Sequence, residues 1–358
     1  MSFLSLAPHL LCPPGEGVFT VNTGKDKREK LQRALYQEAN PREAWLASLK
    51  KINSFGVALL GVASDNGGGI QRGANWGPLY IREAMLSDGT LLADLGDVRV
   101  IPHLLHDKYL NQDTIDSCRI GLYGDTSNEW PVSPLSITEE ILDQLYLDHP
   151  AVKVLALGGD HSVSYPLVTS WAKARKKKKI ALLHFDAHTD LLDKRLGIDL
   201  CFGSWTYHVR QYFPSKDHLI QVGIRSTGKE RGHWESLGLT QLWAKDIITQ
   251  GAHQVAEQII AQYQRAGIEE VYISFDIDVL DEKWASATGT PESSGLDPIF
   301  CSDVIRLVAD KFNVTGADLV EVAPMVNHNF FPNNSQVTSL MTAASVARFL
   351  ARAMGADA

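Results

Sequence analysis

The chain has 358 residues, 44% apolar and 21% charged, with 34 basic against 42 acidic side chains and a net charge of −8. This is the composition of a globular protein long enough to bury a core without disulfide staples, and its acidic balance argues against nucleic acid as a partner. No uncharged apolar stretch in it approaches the ~18 residues of a membrane span, so no membrane role is expected.

Residues 1–50 read as an N-terminal extension, irregular at first and helical in character over 26–49, ahead of a main domain over 51–358. The apolar opening, residues 1–13, lacks the basic flank of a signal peptide. Cys12, Cys118, Cys201 and Cys301 lie far apart with no metal-ligand spacing, as free thiols of a reducing compartment do. A cytoplasmic protein is the expectation. From Phe55 onward short apolar runs at 56–62, 152–157, 180–184, 219–222, 271–275 and 319–322 predict strands. Amphipathic stretches at 138–148, 165–177, 253–266 and 301–310 predict helices between them. Continuous apolar strands separated by helices predict a mostly parallel sheet covered on both faces, hence a single three-layer αβα domain.

The carboxylates and histidines fall in a pattern. The run Ile180-Ala-Leu-Leu-His-Phe-Asp-Ala-His-Thr-Asp190 carries an apolar strand into Asp186, His188 and Asp190. A spacing of two puts side chains on one face of a strand. Asp276 and Asp278 repeat the device. The run 152–157 ends in Gly158-Gly159-Asp160-His161, where glycines allow a tight turn that presents His161. Any one cluster could be a surface loop or a helix cap. Three of them at the C-terminal ends of three predicted strands, the edge where open α/β sheets bind ligands, point to a site.

Carboxylates converging there repel one another unless a cation sits among them. His161, Asp186, His188, Asp190, Asp276 and Asp278 supply enough donors for two metals with shared carboxylates. Oxygen-rich ligation without thiolate favours Mn²⁺ over Fe, Co, Ni or Zn. Two such ions make hydroxide from water near neutral pH. Spacing alone therefore reaches a dinuclear-metal hydrolase.

Gly158-Gly159-Asp160-His161-Ser162, Phe185-Asp-Ala-His-Thr-Asp190 and Ser274-Phe-Asp-Ile-Asp278 resemble the three metal signatures of the ureohydrolases, the family of arginase, agmatinase, guanidinobutyrase and formimidoylglutamase. Gly61-Val-Ala-Ser-Asp65 through Gly73-Ala74, Gly77-Pro78 and Ile81-Arg82 resembles a segment of the agmatinase-like branch. Gly289-Thr-Pro-Glu292 and Val320-Glu-Val-Ala-Pro324 resemble the family's substrate-side loops. The resemblance spans residues 55 to 350. It implies an αβα fold, two Mn²⁺ ions (Ni²⁺ or another divalent metal as the alternative) and hydrolysis of a guanidino or formimino carbon–nitrogen bond. It assigns one metal to His161 and Asp190, the other to His188 and Asp278, with Asp186 and Asp276 between them. It also implies attack by a bridging hydroxide, proton relay through Asp190, a Glu321 carboxylate on the substrate guanidinium, and a homotrimer or homohexamer.

The sequence departs from that pattern in places. Leu192 stands where arginases carry an asparagine, which disfavours arginine itself. Phe202-Gly203 falls where arginases and agmatinases carry a His-Gly pair, and formimidoylglutamases lack that histidine too. His208 is the candidate to replace it as a proton shuttle, against the plainer reading of a packed or surface histidine. Phe202, Trp205 and Tyr207 form either a cation-friendly wall or ordinary core. Gln71-Arg72 replaces an Arg-Pro pair. Arg210 lies near the place of a carboxylate-binding arginine of formimidoylglutamases. The expected function is an agmatinase- or guanidinobutyrase-like amidinohydrolase releasing urea from a small guanidino compound. Formamide release from formiminoglutamate is the second reading. A regulatory homologue without turnover is the third, and the presence of all six ligands disfavours it.

Overall fold

The computed structural model describes residues 1–17, 23–38, 40–69, 71–176, 178–326 and 335–357. In chain order the elements are α1 (Phe3–Leu10), β1 (Leu11–Cys12), α2 (Lys25–Tyr36), α3 (Pro41–Leu49), β2 (Val57–Val62), α4 (Gly77–Ser87), β3 (Ala93–Val98), α5 (Gln112–Tyr123), α6 (Pro134–Asp148), β4 (Lys153–Gly158), α7 (Ser164–Ala174), β5 (Ile180–Phe185), α8 (Trp205–Val209), β6 (Leu219–Ile224), α9 (Arg231–Glu235), β7 (Thr240–Trp243), α10 (Ala244–Gln250), α11 (Ala252–Ala266), β8 (Glu270–Asp276), α12 (Pro298–Ala309), β9 (Asn313–Val320) and α13 (Ser335–Ala353). Among the described residues nine strands form one sheet in the order β1-β3-β2-β4-β9-β8-β5-β6-β7. Every pairing is parallel except that of β1 with β3 at one edge.

Strand alternation separates two cores. Val57, Leu59, Leu155, Leu157, Leu183 and Phe185 pack with α11, α12 and α13. Ala58, Leu60, Val62, Val154, Ala156 and Leu182 face the other way, onto α1, α6 and α7. Two buried faces explain why these strands read as unbroken apolar runs rather than alternating ones. Helices on both faces of a mostly parallel sheet are the α/β architecture expected.

The expected helices are present with longer N-terminal ends, such as Pro134–Asp148 for 138–148 and Pro298–Ala309 for 301–310. The stretch 165–177 closes at Ala174, and Lys177 lies outside the described residues. The helical stretch 26–49 is two helices, because Asn40 caps the Glu43 N–H and Pro41 opens α3. The apolar opening residues form α1, with Phe3, Leu6 and Leu10 buried against α6. Cys12, Cys201 and Cys301 are buried, Cys118 is half-buried, and all four thiols are free. Among the described residues no helix is long and apolar enough to cross a membrane.

β3 escaped the sequence reading, since Asp94 and Asp97 interrupt its apolar character. Both are buried and paired with the equally buried Arg82, which grips Asp94 through two 2.8 Å bonds. The sheet order then positions the site. β8 and β9, made late in the chain, insert between β4 and β5, so the C-terminal ends of β4, β9, β8 and β5 stand side by side.

Candidate metal centre

The strands stop before the clusters do. β5 ends at Phe185 and β8 at Asp276, so Asp186, His188, Asp190 and Asp278 do not share a face through strand alternation. The spacing of two has another cause. At each of three strand ends an aspartate side chain accepts the backbone N–H two residues on: Asp160 from Ser162 (2.8 Å), Asp186 from His188 (2.6 Å) and Asp276 from Asp278 (2.9 Å). This local turn is one that short carboxylate side chains favour. It curls each loop back over the sheet edge. The glycines before His161 also serve a different end than expected. Neither has a positive φ. A Cβ on Gly159 would lie 1.7 Å from the Ser64 carbonyl oxygen, and one on Gly158 would meet Val320 and Val163, so the pair permits close packing.

The six expected ligands converge. The Nδ1 of His161 lies 3.3 Å from Asp186 Oδ2, 3.1 Å from Asp190 Oδ2 and 3.0 Å from Asp276 Oδ2. His188 Nδ1 lies 3.4 Å from Asp186 Oδ1 and 3.0 Å from Asp278 Oδ2. All are buried except His188, whose side chain is 26% exposed and marks the solvent side. Asp190 is held in the left-handed backbone region, φ 51°, and Glu321 likewise at φ 62°. Such conformations cost a non-glycine residue energy that the surrounding structure must offset. Glu321 lies just past β9, where its Oε1 accepts the His161 N–H at 2.8 Å.

Polar groups around the cluster set its orientation. His161 Nε2 meets Ser274 Oγ at 3.1 Å, and that hydroxyl donates to Asp318 Oδ1 at 2.8 Å. With Nε2 on that hydroxyl, Nδ1 is the nitrogen that faces the carboxylates. Buried Nδ1 makes no hydrogen bond of its own. His184, passed over in the sequence although it continues the 186-188-190 spacing backward, sits 2.9 Å from Asp186 Oδ2 through Nε2. It could offer a ligand nitrogen by position. A chain of amides argues otherwise: Trp243 donates to Gln241, Gln241 to Gln221, and Gln221 Nε2 to His184 Nδ1, which leaves Nε2 to donate to Asp186. Trp205, wholly buried, donates its indole N–H to Asp190 Oδ2 at 2.8 Å and lies over His161 with ring centroids 4.7 Å apart. It is therefore no wall facing a substrate. Arg225 clamps the loops after β8, donating to the carbonyls of Asp278, Leu280 and Glu292.

Two expected positions lie apart. His208 Nε2 meets the Asp193 carbonyl at 2.9 Å, and its ring sits against Tyr165 and Tyr207 rather than in the cluster. Arg210 donates to the Tyr207 carbonyl and stacks on that ring.

The charges are out of balance without a cation. Burial, then the neighbouring Asp278 and Asp186, drive Asp276 well above the carboxylate range. Burial and Asp186 raise Asp190, while burial, Asp276 and Asp160 raise Glu321 well up. Burial opposes ionised Asp186, yet the imidazoles of His161, His184 and His188 beside it hold it well below its usual value. Burial likewise opposes the imidazolium of His161, but its contacts with Asp186, Asp190 and Asp276 push it well above the histidine range. His188 is raised too, against burial, chiefly by Asp278.

These shifts carry a sign. A group raised on folding contributes its full stability below its unfolded pKa, about 6.5 for histidine and about 4 for aspartate, and loses it as pH climbs toward the folded value. Asp186 has the opposite sign, but its contribution is complete above about pH 5. The metal-free protein is therefore expected to melt at a lower temperature at about pH 8.5 than at about pH 6.5. Saturating Mn²⁺ should remove that loss, because the ion binds the deprotonated ligands. Melting curves in chelator and in Mn²⁺ across this window check it.

The arginase-family sequence pattern matches residues 55–354. The chain belongs to the arginase family. It is 32% identical over 285 residues to the mitochondrial guanidino acid hydrolase of Homo sapiens, covering 75% of this chain and 71% of the relative. It is also 32% identical over 291 residues to the mitochondrial agmatinase of Gallus gallus, covering 75% and 74%. In structure it is similar to the proclavaminate amidino hydrolase of Streptomyces clavuligerus, with a TM-score of 0.64 at 22% identity over 84% of this chain and 93% of the other. Arginase-family membership makes the chain a metal-dependent amidinohydrolase by class.

Proposed function

We propose that this protein releases urea from a small guanidino compound, with His161 and Asp190 holding one divalent ion, His188 and Asp278 a second, and Asp186 and Asp276 shared between them. The observation that carries the reading is His161 Nδ1, buried, without a hydrogen bond and faced by three carboxylate oxygens. An orphaned nitrogen amid hard oxygens fits a divalent cation, and the thiol-free donor set suits Mn²⁺, with Ni²⁺ or another such ion as the alternative. When bound, the ions lower the pKa of a water and so supply a nucleophile near neutral pH.

The chain's own residues do the rest. Glu321 presents a buried carboxylate to the planar guanidinium, and a charge-assisted pair there orients the carbon for attack. The Trp205 N–H fixes one oxygen of Asp190, and Asp190 carries the proton from the water to the leaving nitrogen. The same reading takes the protein as a cytoplasmic homotrimer or homohexamer, which sedimentation of the metal-loaded protein checks.

Urea release in Mn²⁺ from arginine, agmatine, guanidinobutyrate, guanidinopropionate and guanidine tests the reading. Urea from at least one is expected. Formamide from formiminoglutamate, with no urea from any, would move the assignment to that chemistry. Trp205→Phe keeps an aromatic ring but removes the N–H from Asp190. Loss of such an outer hydrogen bond typically weakens metal binding about 10- to 100-fold, and titration of the metal-free variant reads this directly. An unchanged affinity would leave Trp205 as packing alone.

A further inference from the structure

Beside the cluster lies a cavity of about 490 Å³. Leu104, Leu110, Ile198, Leu200 and Phe202 give it an apolar wall, and Gly67, Gly68 and Gly69 form a side without side chains. Its lining also holds two cations, Arg72 and Arg195, and no carboxylate among the described residues. Neither guanidinium forms an ion pair among the described residues. Arg72 donates to the backbone carbonyl of Asp65, and Arg195 lies over the Phe202 ring, 5.1 Å from its centroid. The carboxylate of Asp65 turns instead to the N–H groups of Gly73 and Ala74. His106, also in the lining, is kept toward its neutral form by burial.

The cavity adjoins both ends of the reacting site. Gly67 donates to Asp160, the residue before His161, at 3.1 Å. Gln71, next to Arg72, approaches the substrate-side loop: a Cβ on Gly289 would lie 2.8 Å from the Gln71 carbonyl oxygen and 3.8 Å from Glu321 Oε2. Gly67 and the Gln71–Arg72 pair thus tie the cavity both to the turn that presents His161 and to the Glu321 side of the cluster.

We infer that this cavity selects the tail of the substrate, admitting a guanidino acid with an apolar spacer and disfavouring a guanidino amine. The inference rests on the amidinohydrolase reading above. Two unpaired guanidinium groups attract a carboxylate end and repel an ammonium end, and the apolar wall covers the methylenes between. Neither arginine touches the cluster, so the effect belongs to the tail rather than to the bond broken.

The test compares kcat/KM for urea release by the Mn²⁺-loaded full chain with guanidinobutyrate, agmatine and butylguanidine, which are similar in length and end in a carboxylate, an ammonium and a methyl group. The acid is expected to exceed agmatine on the order of tenfold or more, with butylguanidine between them. In Arg72→Gln/Arg195→Gln that ratio should collapse toward one, and in Arg195→Glu it should lean toward agmatine, with melting curves showing both variants folded. If butylguanidine is cleaved but acid and amine are equal, or agmatine wins, or the ratio survives the double substitution, the tail pocket is wrong and the amidinohydrolase reading stands. Urea from none of the three with metal bound overturns the pocket, and the amidinohydrolase reading falls with it only if arginine, guanidinopropionate and guanidine give none either.

Discussion

Asp276→Ala is expected to lose metal and all measurable urea release while its metal-free form melts no lower than the metal-free parent. Asp276 is buried, 3.0 Å from His161 Nδ1 through Oδ2, and its Oδ1 holds the Asp278 N–H in the turn that presents the next carboxylate. Truncation removes a shared ligand and frees Asp278 together. Yet burial and the charges of Asp278 and Asp186 oppose its ionisation in the metal-free protein, so there it supplies no charge whose loss would weaken the fold. The loss of stability is therefore expected only with metal present. With the ion at about 1,000 times its Kd, the parent gains about 4 kcal/mol of stability by mass action that the variant cannot. Asp276→Asn separates the two roles, since an amide oxygen keeps the turn but not the charge. Metal analysis and melting curves with and without Mn²⁺ read all of this. Full metal content in Asp276→Ala would refute the assignment.

Glu321→Gln is expected to lower kcat/KM about 100- to 1,000-fold while metal content holds, the range for breaking a buried, hydrogen-bonded charge pair. Glutamine retains an oxygen for the His161 N–H, now met by Oε1 at 2.8 Å, so the loop after β4 keeps its support. What disappears is the negative charge that, on the proposed reading, meets the guanidinium. A neutral group cannot replace it, because Glu321 is buried and water cannot screen the loss. Steady-state kinetics beside metal analysis of the same sample decide the point. Should metal be lost in step with activity, Glu321 is a support for the His161 loop rather than a contact for substrate.

Much of this centre was legible in the sequence because its determinants are local. Parallel strands buried on two faces must be apolar throughout, so their C-terminal ends show as places where a run meets polar residues. An aspartate that accepts an N–H two residues on acts within its own loop, which is why 160, 186 and 276 announce themselves by spacing. That spacing led to side chains that do converge, but by way of the wrong geometry, strand alternation instead of a turn. It also extended to His184, whose position in the same series was the available signal.

Other features depend on residues far apart in the chain. Nothing local distinguishes His208, which meets a surface carbonyl, from His184, which a chain of three side chains from β6 and β7 aims at Asp186. The polar strand β3 exists because Arg82 on a helix answers Asp94 and Asp97. Trp205 reads as one aromatic in a run, and only the folding of α8 onto the sheet edge brings its N–H to Asp190. By itself, then, the sequence determined the layers, the strand ends and the six side chains that converge, since periodicity and turn chemistry act over a few residues. The tertiary structure alone decided that β9 and β8 fill the gap between β4 and β5, that Asp190 and Glu321 are held in left-handed backbone, and that two unpaired arginines face an apolar cavity. Those outcomes rest on packing between segments far apart in the chain, where the energy of each arrangement is set by its neighbours and not by its own residues.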